Sequence, residues 1–337
     1  MGESYSRAGQ AVQLAFDLGQ SSLPRLCVLS YGGGQESTAL LLLHRYSAAF
    51  RARYVPDGRL LVIFCDTADE HEGTYAYLAE AKRFCAAQGI PFLHIRGEMG
   101  YHTGHWGQGL VGQYRATHTV GSVAFPKSCS VELKVAPFYK ALEAWIAREY
   151  RLGEPGNKRV FYRYRERYGR LRVLIGFTAG EERRMARAAA APSSRRRCSR
   201  VGQPARRSTP PARWMQQCIE RVYPLIELGM TRAACQEYTR SVGHTVPPPS
   251  LCRHCPFTTL RELIWRWHAD RSSVEEWFEL ERAKLEANRH MADKNYPVFK
   301  TMPLPAALEL ARRYGHLSFA ELDALRMREG HCVKTRF

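Results

Sequence analysis

"LSYGGGQESTALLL", residues 29–42, sets three glycines between an apolar run and the start of an apolar helix. The run before them, "LCVLS" (26–30), is short, continuous and ended by glycine, which predicts a strand buried on both faces of a parallel sheet, with a helix from Ser37 onward. A glycine loop in that position lets backbone N–H groups approach an oxyanion closely, and the helix N-terminus adds positive potential. Phosphate or sulfate is the ligand the stretch invites. No Lys-Ser/Thr pair follows, as a Walker A loop requires, and the spacing is not GxGxxG, so the two commonest nucleotide loops are excluded. A turn with a purely structural role is the alternative.

The same strand signature recurs outward from this loop. "RLLVIFCDT" (59–67) predicts a second strand, followed by an amphipathic stretch from about His71 to Gln88 with Gly89 as its stop. "PFLHIRG" (91–97) and "LRVLIGF" (171–177) predict a third and a fourth strand. Strands alternating with helices define an α/β fold, a doubly wound, Rossmann-like parallel sheet, here with a helical C-terminal region. The segment from Gly97 to Lys127 lacks periodicity and reads as a long loop crossing the carboxyl ends of the strands, where such sheets bind ligands. Residues 186–213 read as an Arg-rich flexible insertion. From Trp214 the chain reads as helical, with "PPPS" (247–250) as a hinge and a long polar helix from about Thr259. The expected division is an N-terminal extension (1–24), a nucleotide-binding α/β domain (25–185), the insertion (186–213) and a helical region (214–337) carrying a CxxC and a C-terminal cysteine.

A chain of 337 residues is long enough for one substantial core without staples. Ten cysteines, with no N-terminal signal segment and no apolar run of transmembrane length, point to a reduced cytoplasmic compartment and away from a membrane, with the cysteines free for metal or redox chemistry. Fifty Lys+Arg against thirty-two Asp+Glu give a net charge of +18, which favours a polyanionic partner such as tRNA or DNA. An Arg-rich composition with no such partner is the plainer explanation.

"CRHC" places Cys252 and Cys255 where two thiolates can grip one metal ion or two corners of a cluster. Two further ligands are needed, and no second CxxC supplies them. Lys134, Arg183 and Arg184 offer cationic donors for phosphate or sulfate charge near the strand ends. The aromatics of "WRWHADRSSVEEWFELERA" (265–283) recur at near-helical spacing, which core packing explains better than base stacking.

"SYGGGQEST" resembles the PP-loop of the adenine-nucleotide α-hydrolase (ATP pyrophosphatase) superfamily, usually Ser-Gly-Gly-x-Asp-Ser after the first strand. Gly33, Gly34 and Ser37 match that pattern, whereas Gly32, Gln35 and Glu36 stand where Ser, Lys and Asp are usual. "FCDTADEHEGTYAYLAEAKRFC" (64–85), "CSVELKVAPFY" (129–139) and "YPLIELGMTRAACQEYTRSVGHTVPPPSLCRHCPF" (223–257) are similar to the phosphoadenosine phosphosulfate (PAPS) reductase branch, and within it to a subgroup of mobile elements and DNA phosphorothioation systems.

The resemblance implies an adenine nucleotide, ATP or PAPS, held by Ser30, Gly32, Gly33, Gly34, Gln35, Glu36 and Ser37, with Asp66 and Thr67 at the adenosine and Arg183 and Arg184 at the charged end. Glu36 would hold Mg²⁺ if the nucleotide is ATP. It proposes Cys129 and Cys235 as partners of Cys252 and Cys255 around a [4Fe–4S] cluster or, alternatively, Zn²⁺. Ser37, Lys134 and Cys332 would be catalytic, Cys332 as a nucleophile on the C-terminal tail. Three functions follow: ATP-dependent sulfur transfer to tRNA or DNA, with a cysteine desulfurase as a possible partner; PAPS or adenylylsulfate reduction with thioredoxin as electron donor; and a non-catalytic nucleotide-binding accessory of a defence or CRISPR-type complex. A homodimer is compatible with each.

Overall fold

The computed structural model describes residues 23–189 and 212–329. The N-terminal extension, most of the Arg-rich insertion and the tail with Cys332 lie outside the described residues.

Five parallel strands form one sheet in the order β3-β2-β1-β4-β5. They are β1 (Leu26–Ser30), β2 (Arg59–Cys65), β3 (Phe92–Ile95), β4 (Leu171–Ile175) and β5 (Ile219–Val222). In register, Val28 pairs with Leu61 on one side and Val173 on the other. This is a doubly wound sheet with its strand order reversing between β1 and β4, and the crevice outside their carboxyl ends is where such sheets take ligands.

The continuous apolar strands are explained by burial on both faces. Val28, Leu61, Ile63 and Val173 pack against the helices Ala136–Glu149 and Arg159–Tyr168, chiefly on Leu142, Trp145, Ile146 and Phe161. The alternate residues Leu29, Val62, Phe64 and Leu174 face the other way, onto α1 (Gln35–Tyr46), α2 (Ala48–Tyr54) and α3 (Glu72–Ala87). A third core joins Leu110, Tyr114 and Leu133 to the C-terminal helices through Leu263, Trp265, Trp277 and Leu304. Trp277 is fully buried there, so the aromatic spacing of that stretch is core packing.

Four details depart from the pattern read in the sequence. β5 comes from a stretch read as helical, so the C-terminal region contributes an edge strand to the main sheet; "IERV" is only four residues long and half polar. The segment between β3 and the Ala136 helix is not one loop, because Gly109–Thr117 is helical. The long polar helix is broken at Asp270 into Leu260–Ala269 and Arg271–Ala287, the Asp270 carboxylate accepting from Ser273 N–H at 3.2 Å as the cap of the second helix. Residues 247–250 are a tie and not a hinge: the Pro247 and Pro249 carbonyls accept from Gln35 and Arg326, and the Ser250 hydroxyl donates to Glu70.

Candidate functional site

The loop after β1 turns on glycines that nothing larger replaces. Gly33 has φ of +73°, and a Cβ there would meet Thr74 Cγ2 at 3.2 Å and Phe64 Cε2 at 3.3 Å. A Cβ on Gly176, just after β4, would lie 3.1 Å from the Ser37 backbone nitrogen. The end of β4 therefore touches the N-terminus of α1, whose first N–H groups have no partner within the helix. The Ser37 hydroxyl accepts from Gly32 N–H at 3.1 Å and donates to the Gly34 carbonyl at 3.2 Å, closing the loop on itself.

A cavity of about 320 Å³ opens over this loop. Ser30, Gly32, Gly34, Glu36 and Ser37 form its base, and Ile175, Gly176 and Phe177 its β4 side. Lys134 and Arg184 bring positive charge to it. Lys134 sits in a single π-helical turn, Val131–Val135, and its ammonium lies 3.0 Å from Glu70 Oε1. Arg184 pairs with Glu181 at 2.7 Å, its guanidinium 4.3 Å from the Phe177 ring centroid.

Cys129, Cys252 and Cys255 line the same cavity. The CxxC turn is fixed by residues 66–71, the loop that leaves β2. Glu70 and Cys252 form an antiparallel bridge, and His71 N–H donates to the Leu251 carbonyl at 3.1 Å. Between the two cysteines, the buried His254 gives its backbone N–H to Asp69 Oδ2 at 2.9 Å and places Nδ1 2.7 Å from Asp69 Oδ1. Its Nε2 lies 3.0 Å from the Ser273 carbonyl oxygen. Glu70, with its side chain fully buried, ties three lining residues together: it accepts from Lys134, from the Thr67 hydroxyl at 3.2 Å and from the Ser250 hydroxyl at 3.3 Å. The Cys252 thiol donates to Thr67 Oγ1 at 3.4 Å. Burial, and then the Glu70 charge, push that thiol well above its usual range, so a metal or cluster must displace a proton to bind it.

Other residues singled out in the sequence stand elsewhere. Cys235 lies on the helix Arg232–Ser241, fully buried among the side chains packed against α1, and burial pushes its thiol up to about 12. The structure does not bring it to the other three cysteines, because its matched motif serves to dock that helix on α1. Among the described residues, no three Cys, His, Asp or Glu side chains converge as ligands of a single ion. Three thiols on one cavity are the donor chemistry that either a thiolate-bound cluster or a zinc ion takes, and Cys235 is not among them.

Gln35 points away from the cavity: its side chain donates to the Pro247 carbonyl at 3.2 Å and accepts from Gln236 at 3.0 Å. Glu36 does line the cavity, but its carboxylate is taken by Arg232 at 2.6 Å, so it is not open to Mg²⁺ in this arrangement; burial raises its pKa. Thr67 lines the cavity and Asp66 does not. Burial works against the Asp66 charge, but hydrogen bonds from His94, Ala68 N–H and Tyr75 outweigh it and hold the carboxyl below its usual range. Arg183 is exposed and outside the lining. Cys332 lies outside the described residues, the last described helix, Phe319–Glu329, placing Met327 Sδ 3.6 Å from the Gln35 amide.

Asp69, Glu70, Arg232, Ser250 and His254 were not legible as site residues. Each acts through a partner far away in the chain, and only the acidic run "DEHE" (69–72) hinted at them.

No protein-family model matches the chain, and no curated protein does. Among solved structures it is similar to "U34-tRNA thiolase NcsA from Methanococcus maripaludis with its [4Fe-4S] cluster", at 11% sequence identity and a TM-score of 0.34, over 89% of this chain and 76% of that one.

Proposed function

We propose that this chain binds an adenine nucleotide, ATP in the first instance, over the Gly32–Ser37 loop and uses it to activate a nucleic-acid acceptor for sulfur transfer. The observation that carries this reading is the single cavity at the β1/β4 crevice, which joins the glycine loop, Lys134 and Arg184 to the thiols of Cys129, Cys252 and Cys255. Anion donors and thiols lining one cavity suit a phosphoester activation followed by attack of sulfur on the activated atom.

In the activation step an acceptor oxygen attacks the α-phosphorus, the new O–P bond forms, the bond to the β-phosphate oxygen breaks, and pyrophosphate leaves with the electron pair. The loop N–H groups and Ser37 hold the phosphates, while Lys134 and Arg184 offset the developing charge. Cys129, Cys252 and Cys255 would hold an iron–sulfur cluster, which supplies a surface for carrying sulfide. The terminal sulfur of a persulfide donor then attacks the activated atom, AMP leaves with the electron pair of the broken acceptor–oxygen bond, and an external thiol reductant cleaves the resulting S–S bond to free the thiolated acceptor, itself ending in a disulfide with the donor.

The test is pyrophosphate release from ATP by anaerobically purified protein, with and without tRNA or single-stranded DNA. Nucleic-acid-stimulated release that falls about 10²-fold in Ser37→Ala and in Lys134→Met is expected, in keeping with loss of donors aimed at transition-state charge. Sulfite release from PAPS with thioredoxin, in place of pyrophosphate release, would replace this reading by the reductase one. Nucleotide binding without any turnover would replace it by the accessory one.

A further inference from the structure

A second cavity, of about 370 Å³, adjoins the first, and the two share Lys127, Cys129, Pro256 and Phe257 as a partition. Lys127 and Phe257 are held together there, the ammonium 4.4 Å from the ring centroid. The volume lies at the small end of ligand pockets. Its lining differs in kind from that of the nucleotide cavity. Trp106, Tyr114 and Phe125 give flat apolar surface, while Gln113, Asn288 and Asn295 give amide edges. Among the described side chains the lining carries Lys127, Lys284 and Lys294 and no carboxylate.

The polar groups are built in and one of them lacks a hydrogen-bond partner. Asn295 donates from Nδ2 to the Leu285 carbonyl at 2.7 Å, which fixes the amide, yet its buried Oδ1 has no partner. Asn288 is fixed in the same manner, its Nδ2 donating to the His118 and Lys284 carbonyls, both at 2.9 Å. Lys284 is buried and donates to the Tyr296 carbonyl. At the rim Phe125 and Met291 are 41% and 42% exposed, apolar surface of the kind a stacking partner covers.

We propose that this second cavity receives one unpaired nucleobase of the acceptor nucleic acid, with Cys129 on the partition between the base and the nucleotide. Planar rings beside fixed amides fit a base that must be stacked and read along its edge, and enzymes that act on a base take it out of its stack to reach it. The unpartnered Asn295 oxygen is an acceptor for an exocyclic or ring N–H of that base. Lys294, at the exposed rim, meets the flanking phosphate. The proposal rests on the sulfur-transfer reading for its chemistry, but binding can be tested without it.

The experiment is fluorescence titration of the full-length protein with labelled single-stranded RNA, single-stranded DNA, their duplexes and an oligonucleotide carrying one abasic position, alongside titration with ATP. Phe125→Ala and Asn295→Ala are expected to weaken single-strand binding about tenfold each, the loss expected of one stacking or base-edge contact, with ATP binding unchanged. Ser37→Ala is expected to do the reverse. The RNA and DNA arms identify the source of the base, and the abasic strand should be insensitive to both cavity variants. Equal single-strand affinity in wild type, Phe125→Ala and Asn295→Ala overturns the proposal while leaving the nucleotide reading intact. Loss of ATP binding in the wild type, with the oligonucleotide pattern as expected, overturns that reading and leaves this cavity a base site.

Discussion

Asp69 is the residue on which the thiol-bearing turn depends. Its two carboxylate oxygens take the backbone and the ring of His254, and its backbone carbonyl accepts from Arg253 N–H at 2.6 Å, all within the two residues that separate Cys252 from Cys255. Asp69→Asn removes the charge and turns one acceptor into a donor facing the His254 ring. Losing a hydrogen bond to a charged group costs about 1.5–3 kcal/mol. The expected result is an unfolding free energy, from urea titration, lowered by that amount and faster alkylation of Cys252 and Cys255 at pH 8. Unchanged alkylation would mean that the turn is held by its bridge to Glu70 and not by Asp69. Glu70, one residue on, carries Lys134, so of two adjacent acids one holds the cysteine turn and the other the lysine. Local pattern could not reveal this, since neighbouring side chains on an irregular loop follow no period.

At the scale of elements, the glycine loop is closely packed, with Gly33 against Thr74 and Phe64, Gly34 against Ser250, and Gly176 at the end of β4 against the Ser37 backbone. Gly33→Ala puts a Cβ into Thr74 and Phe64 at a positive φ, and both effects act against the native loop. A loss of about 1–2 kcal/mol is expected from the left-handed backbone alone. Isothermal titration should show ATP affinity falling further than stability does, because Phe64 belongs to β2 and pushing it shifts the strand that leads into the loop carrying Thr67. If stability falls and affinity does not, the loop is a structural turn.

The elements that sequence revealed best are those with the simplest physics. β1, β2 and β4 are apolar on consecutive residues because both faces are covered, and that pattern survives without knowledge of neighbours. β5 escaped notice because an edge strand of four residues can alternate Ile-Glu-Arg-Val and still pair. Ser37, Lys134 and the CxxC were singled out from local motifs, and these four residues line the first cavity. Cys235 was misplaced because a matched stretch shows that a residue is needed, not whether it is needed for packing or for ligation.

For the whole molecule, acid is the condition that separates the folded from the unfolded chain. Burial, reinforced by the Arg266 and Arg326 charges, lowers the His71 pKa from 6.5 to about 3, and burial together with Arg51 lowers that of His44 to about 4. A histidine lowered in the folded state is neutral there while its unfolded counterpart gains a proton below pH 6.5. Stability is therefore unaffected by these groups above pH 6.5 and is lost as pH falls below it, by roughly 1.4 kcal/mol per unit for each. Urea midpoints at pH 7.5, 6.0 and 5.0 should fall in that order, and His71→Gln should flatten the slope. A midpoint that does not move over this range would show that His71 takes up its proton in the folded chain.

The contact between Asp69 and His254 joins residues 185 positions apart. The candidate cavity is thereby indexed from both ends of a long excursion, by the sheet at one end and by the acid that grips the cysteine turn at the other. A loop lengthened between these two anchors changes the path of the chain but not the spacing of the cysteine turn from the glycine loop.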